Sequence, residues 1–571
     1  MWVAAGDGLW AAKNQSPATK GALPVFHDIT DEAGLAYEIT CGDPVTESLV
    51  DVNGQGACFL DYDGDGFLDI YLANGSSRSL DRAGKPPHDY LLKNQGDGTF
   101  EDVTKSAGLG DTNWSSGCTV GDYDNDGDSD LYLTNYGPNK LYRNVGGAFS
   151  EVSHEAGVSG PEWTPRKWSM GAAFADVDND GDLDLYVANF TAFDLETFAP
   201  PGTKESPCRL KGVPIVCAPD FFHGQQDLLY SNNGDGTFRD VSGTAGIHQN
   251  KPGHGFAVVF SDFDDDGDQD LYVANDSGPN SYYENNGDGT FADISWESGG
   301  VVNEHGEPEG SMGLTVGDYN NDARLDIFIT NFIEQSNTLY ENDGDNKFVD
   351  QTVGLGLFPV GLNDSGWGTK FIDFDNDGWL DLFIANGHTD ERLEKRFPTD
   401  TYAQPNYLLR NVGAERFVDV SDSVGLRSIE NRVGRGAAFA DFDNDGDVDV
   451  LVINKNDKPS FLRNDGGNQR NWFTIRTQGV ESNRGGIGAK ILVETGDARR
   501  AFEVRGSDSY LSGNDMRVHV GLGKNTAADL EIRWPSGRRD RHEAVAANRF
   551  YLAVEGQSLD VDPLAPPLKK P

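Results

Sequence analysis

A nine-residue acidic pattern, Asp-x-Asp-x-Asp-Gly-x-x-Asp, is written seven times along this chain, once in degenerate form. It constrains the fold tightly, because four carboxylates must converge wherever the loop closes, and the chain must repeat whatever surrounds them. The copies supply Asp61, Asp63, Asp65 and Asp69; Asp122, Asp124, Asp126 and Asp130; Asp176, Asp178, Asp180 and Asp184; Asp262, Asp264, Asp266 and Asp270; Asp318, Asn320, Asp322 and Asp326; Asp373, Asp375, Asp377 and Asp381; and Asp441, Asp443, Asp445 and Asp449. Hard oxygen donors at positions 1, 3, 5 and 9 suit Ca2+, with a backbone carbonyl at position 7 and water completing the shell. An EF-hand is excluded, because there is no twelfth-position Glu and no flanking helix. Empty loops, with four charges held close, are expected to be poorly ordered. The fifth copy departs: Asn320 loses a charge, Ala323 replaces the turn glycine and Arg324 adds a positive charge. It is expected to be the weakest site.

The loops start 61, 54, 86, 56, 55 and 68 residues apart, and each sits in the same surroundings. A glycine-rich strand precedes the loop and an apolar strand of the type Leu-Asp-Leu-Tyr-Val follows it. A third strand comes next, then a turn such as Asn94 to Phe100, then a strand of the type Phe-x-Asp-Val. Four strands per unit, seven times over, predict a seven-bladed β-propeller with a calcium loop in each blade. The last unit lacks its own Phe-x-Asp-Val strand, and Phe26-His-Asp-Ile-Thr30 precedes the first loop unpaired. The N-terminal strand is therefore expected to close the ring, leaving no open edge.

From Asn471 the pattern changes to alternating strands such as Trp472-Phe-Thr-Ile-Arg and Leu530-Glu-Ile-Arg. They predict a small C-terminal antiparallel β-domain. The domains read as a flexible segment 1–22, a propeller 23–468, a β-domain 469–558 and a proline-rich tail 559–571.

The repeated units resemble FG-GAP/VCBS-type repeats, as in the integrin α-subunit propeller. The stretch Asn483-Arg-Gly-Gly-Ile-Gly-Ala-Lys490, with Val520-Gly-Leu-Gly523 and Trp534-Pro-Ser-Gly537, looks like an ASPIC/UnbV domain. The combination is similar to the cartilage acidic protein family, in a bacterial-type form that shares the insert Ser206-Pro-Cys208 to Cys217. The resemblance implies a secreted calcium-binding propeller and carries little chemistry beyond that.

A net charge of −47 argues against nucleic acid or an anionic membrane as partner. Seven calcium ions would leave about −33, still acidic. No apolar run is long enough to cross a membrane. Residues 1–20 show no signal peptide, yet loops of this type fill only where calcium is abundant, so an exported, extracellular or periplasmic protein is expected. Of five cysteines, Cys208 and Cys217 flank a hairpin-like insert that a disulfide would pin. One pair is open to Cys41, Cys58 and Cys118; Cys58 and Cys118 lie in strands and read as small buried hydrophobes.

Strand order places every acidic loop on one face and the long insertions (Gly75 to His88, Phe190 to Gln226, Gly387 to Pro405) on the other. Variable loops on a rigid scaffold are where binding sits. Arg166, Lys167, Trp168, His254, Ser311, Met312, Ser365, Trp367, Arg432 and Arg435 are expected around the upper channel mouth. Among them Trp168, His254, Trp367 and Arg435 are candidate ligand contacts; the competing reading has the tryptophans filling the channel and the arginines pairing with carboxylates. No nucleophile or zinc signature appears. The expected function is a binding or adhesion module for a protein or glycan, with structural calcium. The alternatives are a propeller enzyme using groups such as His254 and Arg435, or a surface or matrix component.

Overall fold

The computed structural model describes residues 23–160, 167–248 and 252–565. The flexible segment assigned to 1–22, Arg166 and the end of the tail lie outside the described residues.

Each acidic loop joins two strands whose ends meet at the loop's first and last residues. In the second repeat Ser115–Gly121 and Asp130–Asn135 flank the loop, with Gly121 opposite Asp130, and Lys140–Val145 and Ala148–Glu151 complete an antiparallel sheet. Seven four-stranded sheets follow this plan. The seventh takes Val25–Asp28 as its outer strand, with Val25 opposite Asp465 and Asp28 opposite Leu462. The first two strands of each sheet are almost wholly buried, because a neighbouring sheet covers each face; the outer strands expose alternate residues, as in Ala148–Glu151. Innermost strands pack in succession, and Gly434–Ala440 of the last sheet packs against Ala57–Leu60 of the first. The result is an all-β, propeller-like ring.

Glycine in the innermost strands serves close approach. A Cβ on Gly313 would lie 1.9 Å from the Trp367 carbonyl of the next sheet. Seven asparagines then join the sheets. Each opens the turn after a third strand, and its Nδ2 donates to a carbonyl of the preceding sheet's loop. Asn144 reaches Tyr62 at 2.8 Å, and Asn232, Asn285, Asn342, Asn411 and Asn464 repeat the step. Asn94 closes the circuit on Phe442 at 2.9 Å.

The C-terminal domain holds two four-stranded sheets around Phe473, Ile491, Val493, Ile532 and Trp534. The expectation of an antiparallel domain is corrected: Asn471–Gln478 and Phe550–Val554 pair in parallel, Thr474 opposite Phe550. The chain visits the second sheet twice: Val518–Gly523 returns antiparallel on one side of the domain's first strand, and Phe550–Val554, arriving after Ala527–Arg533 and Arg539–Ala546, lies parallel on its other side. Asp560–Val561 then adds to Phe550–Val554, past residue 558.

Cys208 and Cys217 form the expected disulfide. Cys58 and Cys118, read as buried hydrophobes, form another: they lie on adjacent innermost strands with Cα atoms 6.1 Å apart. Cys41 is a buried free thiol.

Candidate functional site

The acidic loops share one hydrogen-bond plan. Asp61 accepts from the Asp65 amide at 3.0 Å and the Gly66 amide at 2.9 Å. The same pair recurs in the loops opening at Asp122, Asp176, Asp318, Asp373 and Asp441. In the fourth loop Asp262 instead lies 3.6 Å from Lys490 Nζ. At position 9 one carboxylate oxygen accepts from the amide of the inter-sheet asparagine in all seven loops, at 2.7–2.9 Å. Position 9 thus orients a loop and ties it to the ring.

Positions 1, 3 and 9 bring one carboxylate oxygen each within 4.8 Å of one another in the loops of Asp61, Asp122 and Asp373; positions 1, 3 and 5 do so in those of Asp176 and Asp262. At position 3, Asp63, Asp124 and Asp178 each leave a buried carboxylate oxygen without a hydrogen-bond partner among the described residues. Burial pushes Asp69 up to about 8, Asp130 to about 9 and Asp184 to about 8, against the pull of the amides that hold them. Converging, desolvated, unsatisfied hard oxygens fit a divalent cation. In the fifth loop Ala323 takes a left-handed φ of 68°, and Arg324 pairs with Asp322 at 2.5 Å.

This face is covered. The C-terminal domain lies on it, with Lys490 2.9 Å from Asp265, Arg517 donating to Asn444 at 2.7 Å and to the Asp441 carbonyl at 2.9 Å, and the Ala501 amide donating to Asp318 at 2.9 Å. From the same domain, residues 505–517 enter the ring. The Cys118 amide donates to the Leu511 carbonyl at 3.3 Å, Ser509 donates to Leu314 at 2.7 Å and to Ala437 at 2.8 Å, and Gly513 exchanges bonds with Ala57 and Phe59. At the far end Tyr510 donates to the Asn53 carbonyl at 3.0 Å. The sequence signals this plug poorly, because 506–515 reads as a small, polar loop; only Tyr510-Leu511 interrupts it.

The four candidate mouth residues are all buried. Trp367 packs 5.0 Å from Tyr510 and donates to the Gly387 carbonyl at 2.8 Å. Arg435 stacks 4.1 Å over Trp367 and spends its donors on the carbonyls of Val52, Gly387, Gly434 and His388. Trp168 joins Tyr136 and Phe190 in an aromatic cluster, and His254 lines a lateral cavity with His223, His248 and Trp296. The arginine therefore satisfies backbone carbonyls, which differs from the carboxylate pairing expected of it. Lys167 is buried, Arg432 ion-pairs with Asp28 and Asp457, and Ser311, Met312 and Ser365 are buried in or beside the innermost strands.

The insertions interlock above the mouth. Lys211, at the tip of the disulfide hairpin, reaches Asp400 at 2.9 Å and Glu334 at 3.3 Å, while Arg78 meets Glu47 at 2.9 Å and stacks on Phe198 at 4.5 Å. Beneath them is a cavity of about 400 Å³ floored by Trp367.

Residues 61–133, 122–187, 262–329 and 318–384 match the FG-GAP-like repeat, and 479–560 match the family described as ASPIC and UnbV. Cartilage acidic protein 1 of Xenopus tropicalis is 25% identical over 498 residues, covering 75% of this chain and 71% of that protein. The Homo sapiens protein of the same name is 26% identical over 313 residues, covering 52% and 43%. Among solved structures, an Agrocybe aegerita lectin that recognises non-reducing terminal N-acetylglucosamine is 18% identical with a TM-score of 0.37, covering 64% of this chain and 80% of that one.

Proposed function

This chain belongs to the family that joins FG-GAP repeats to a C-terminal ASPIC/UnbV domain, as cartilage acidic protein does, and from that premise we propose an exported, calcium-stabilised, seven-bladed propeller that binds a protein or glycan through its insertion face. The observation that carries the reading is the asymmetry of the two faces: one is occupied by the protein's own C-terminal domain, the other bears every long insertion.

The position 1, 3, 5 and 9 residues of each loop would hold the calcium ions, the fifth most weakly. Bound cations would neutralise carboxylates that otherwise repel across desolvated loops, and so stabilise the ring. The chain's own residues prepare this: position 1 closes the turn on two amides, and position 9 is fixed by the inter-sheet asparagine. Calcium here is structural, because similar loops throughout the ring are suited to fastening, whereas sensing needs a movable element. Two disulfides accord with an oxidising compartment.

The test is capture of binding partners from the native extracellular milieu by the calcium-loaded protein and by a variant with the insertion 190–226 shortened. The reading expects the variant to lose partners while still folding, as a cooperative melt in calcium that is lowered by the loss of Phe190 and Phe193 from the core. Equal capture by both, or capture that maps to the C-terminal domain, would contradict it.

A further inference from the structure

We propose that the pocket at the mouth of the ring binds an alkylammonium ligand with an apolar body, the ammonium meeting Asp276 and Asp220 and a hydrogen-bond acceptor meeting the Asn53 side chain. This rests on the reading of the insertion face as the working surface and names a ligand class for it.

The pocket, about 400 Å³, is of small-molecule size. Val52, Val216, Met312, Phe332 and Trp367 make much of its wall apolar. It is blind, because Trp367 is 1% exposed and is backed by Tyr510 and Arg435. One wall is 215–220, pinned by the Cys208–Cys217 disulfide and by the Lys211 pairs that tie the hairpin to other insertions. The cavity is thus preformed, which lowers the ordering cost of binding.

Its polar groups are unbalanced in one direction. Among the described residues no Lys, Arg or His lines it, although four carboxylates do. Two are already served: Asp390 pairs with Arg392, and Glu309 accepts from Thr338 at 2.7 Å and Asn331 at 2.8 Å. Asp276 receives a single side-chain hydrogen bond, from the Ser277 hydroxyl at 3.3 Å, and neither it nor Asp220 has an ion-pair partner among the described residues. Burial pushes the Asp276 carboxyl up to about 7, with Ser277 opposing and Asp220 adding to the rise; a cation beside it would restore its charge. Independently, Asn53 is 3% exposed and its side-chain nitrogen has no hydrogen-bond partner among the described residues, so a donor stands unused in the lining of the same pocket. A carboxylate without a cation, a donor without an acceptor and an apolar enclosure together describe an amine bearing a hydroxyl or carbonyl. That chemistry is shared by free amines and by the lysine side chain of a protein.

The experiment is calorimetric titration of the calcium-saturated full chain with tyramine, with Nα-acetyl-lysine methylamide and with the neutral alcohol 4-(2-hydroxyethyl)phenol. At least one amine is expected to bind about tenfold or more tightly than the alcohol, and Asp276→Asn to erase that preference. The stronger amine identifies the source, free ligand or partner lysine. Thermal melts verify that the variant folds; if it does not, Asp220→Asn, at an exposed position, must weaken amine binding while leaving the alcohol unaffected. The proposal is overturned if amine and alcohol bind equally, if no probe binds at millimolar concentration, or if a folded Asp276→Asn retains the preference. Partner capture that depends on the insertions, with no amine binding, would refute the pocket and leave the face assignment standing.

Discussion

Replacing Tyr510 by alanine removes the side chain on which the C-terminal domain and the ring meet most deeply. It is fully buried, its ring lies 5.0 Å from Trp367 and 5.5 Å from Phe256, both edge-on, and its hydroxyl ends on the Asn53 carbonyl. Truncating a core aromatic costs about 3–5 kcal/mol. Orphaning the Asn53 carbonyl adds about 1 kcal/mol, for about 4–6 kcal/mol in all. With about 2.1 cal/mol/K of unfolding entropy per residue over a chain of this size, that lowers Tm by roughly 3–5 °C. Tyr510→Phe keeps the rings together and loses only the hydrogen bond, about 1 kcal/mol. The assay is differential scanning calorimetry in saturating calcium. Because plug and ring share one core, the wild type should melt in one transition that the alanine variant shifts as a whole. A wild type that unfolds in two transitions, with the variant moving only one, would refute the coupling. So would an alanine variant melting with the wild type.

Three further outcomes are expected. Ala323→Gly relieves a left-handed φ of 68° and should stabilise the calcium-loaded protein by about 0.5–1 kcal/mol in urea denaturation, whereas a loss would mean the fifth loop prefers its alanine. His388 is held neutral, its pKa lowered to about 4 by burial and by Arg435. The unfolded chain binds that proton near 6.5 and the folded one only near 4, so its share of stability, up to about 3 kcal/mol, is lost as pH falls between them. In melts from pH 7 to 4, His388→Asn should therefore lose less than the wild type; parallel curves would refute the assignment. Thiol titration should label no cysteine in the native protein and one, Cys41, in the unfolded unreduced protein; labelling of Cys58 or Cys118 would contradict their pairing.

Much of the ring was legible because its signals are local and repeated. The loop pattern, the glycine-rich strand before it and the orphan strand at Phe26 each point to an element that exists, and the unpaired first and last strands point to each other. The turn-opening asparagines were visible as a motif, but their role was not: Asn144 binds Tyr62, a contact across sheets that no local pattern encodes. Cys58 and Cys118 illustrate the same limit, since a buried cysteine in a strand looks like any small hydrophobe until the neighbouring strand is placed. The plug was illegible for a further reason. Residues 506–515 are mostly Gly, Ser, Asn and Asp, which read as solvent-exposed turn, yet they are buried by pairing with the ring's own backbone. Asn53 and Asp276 carried no signal at all, because the pocket they line is assembled from six separate connections.

The most direct test of the account is a melt of the full chain in excess calcium and in excess chelator, with bound metal counted in both samples by elemental analysis. Each filled site at a hundredfold excess over its Kd contributes about 2.7 kcal/mol, so several sites acting together should separate the two melts widely. The account predicts up to seven calcium ions per chain, one held more weakly than the rest, and a large fall in Tm once they are removed. An unchanged melt with the metal demonstrably gone would contradict it.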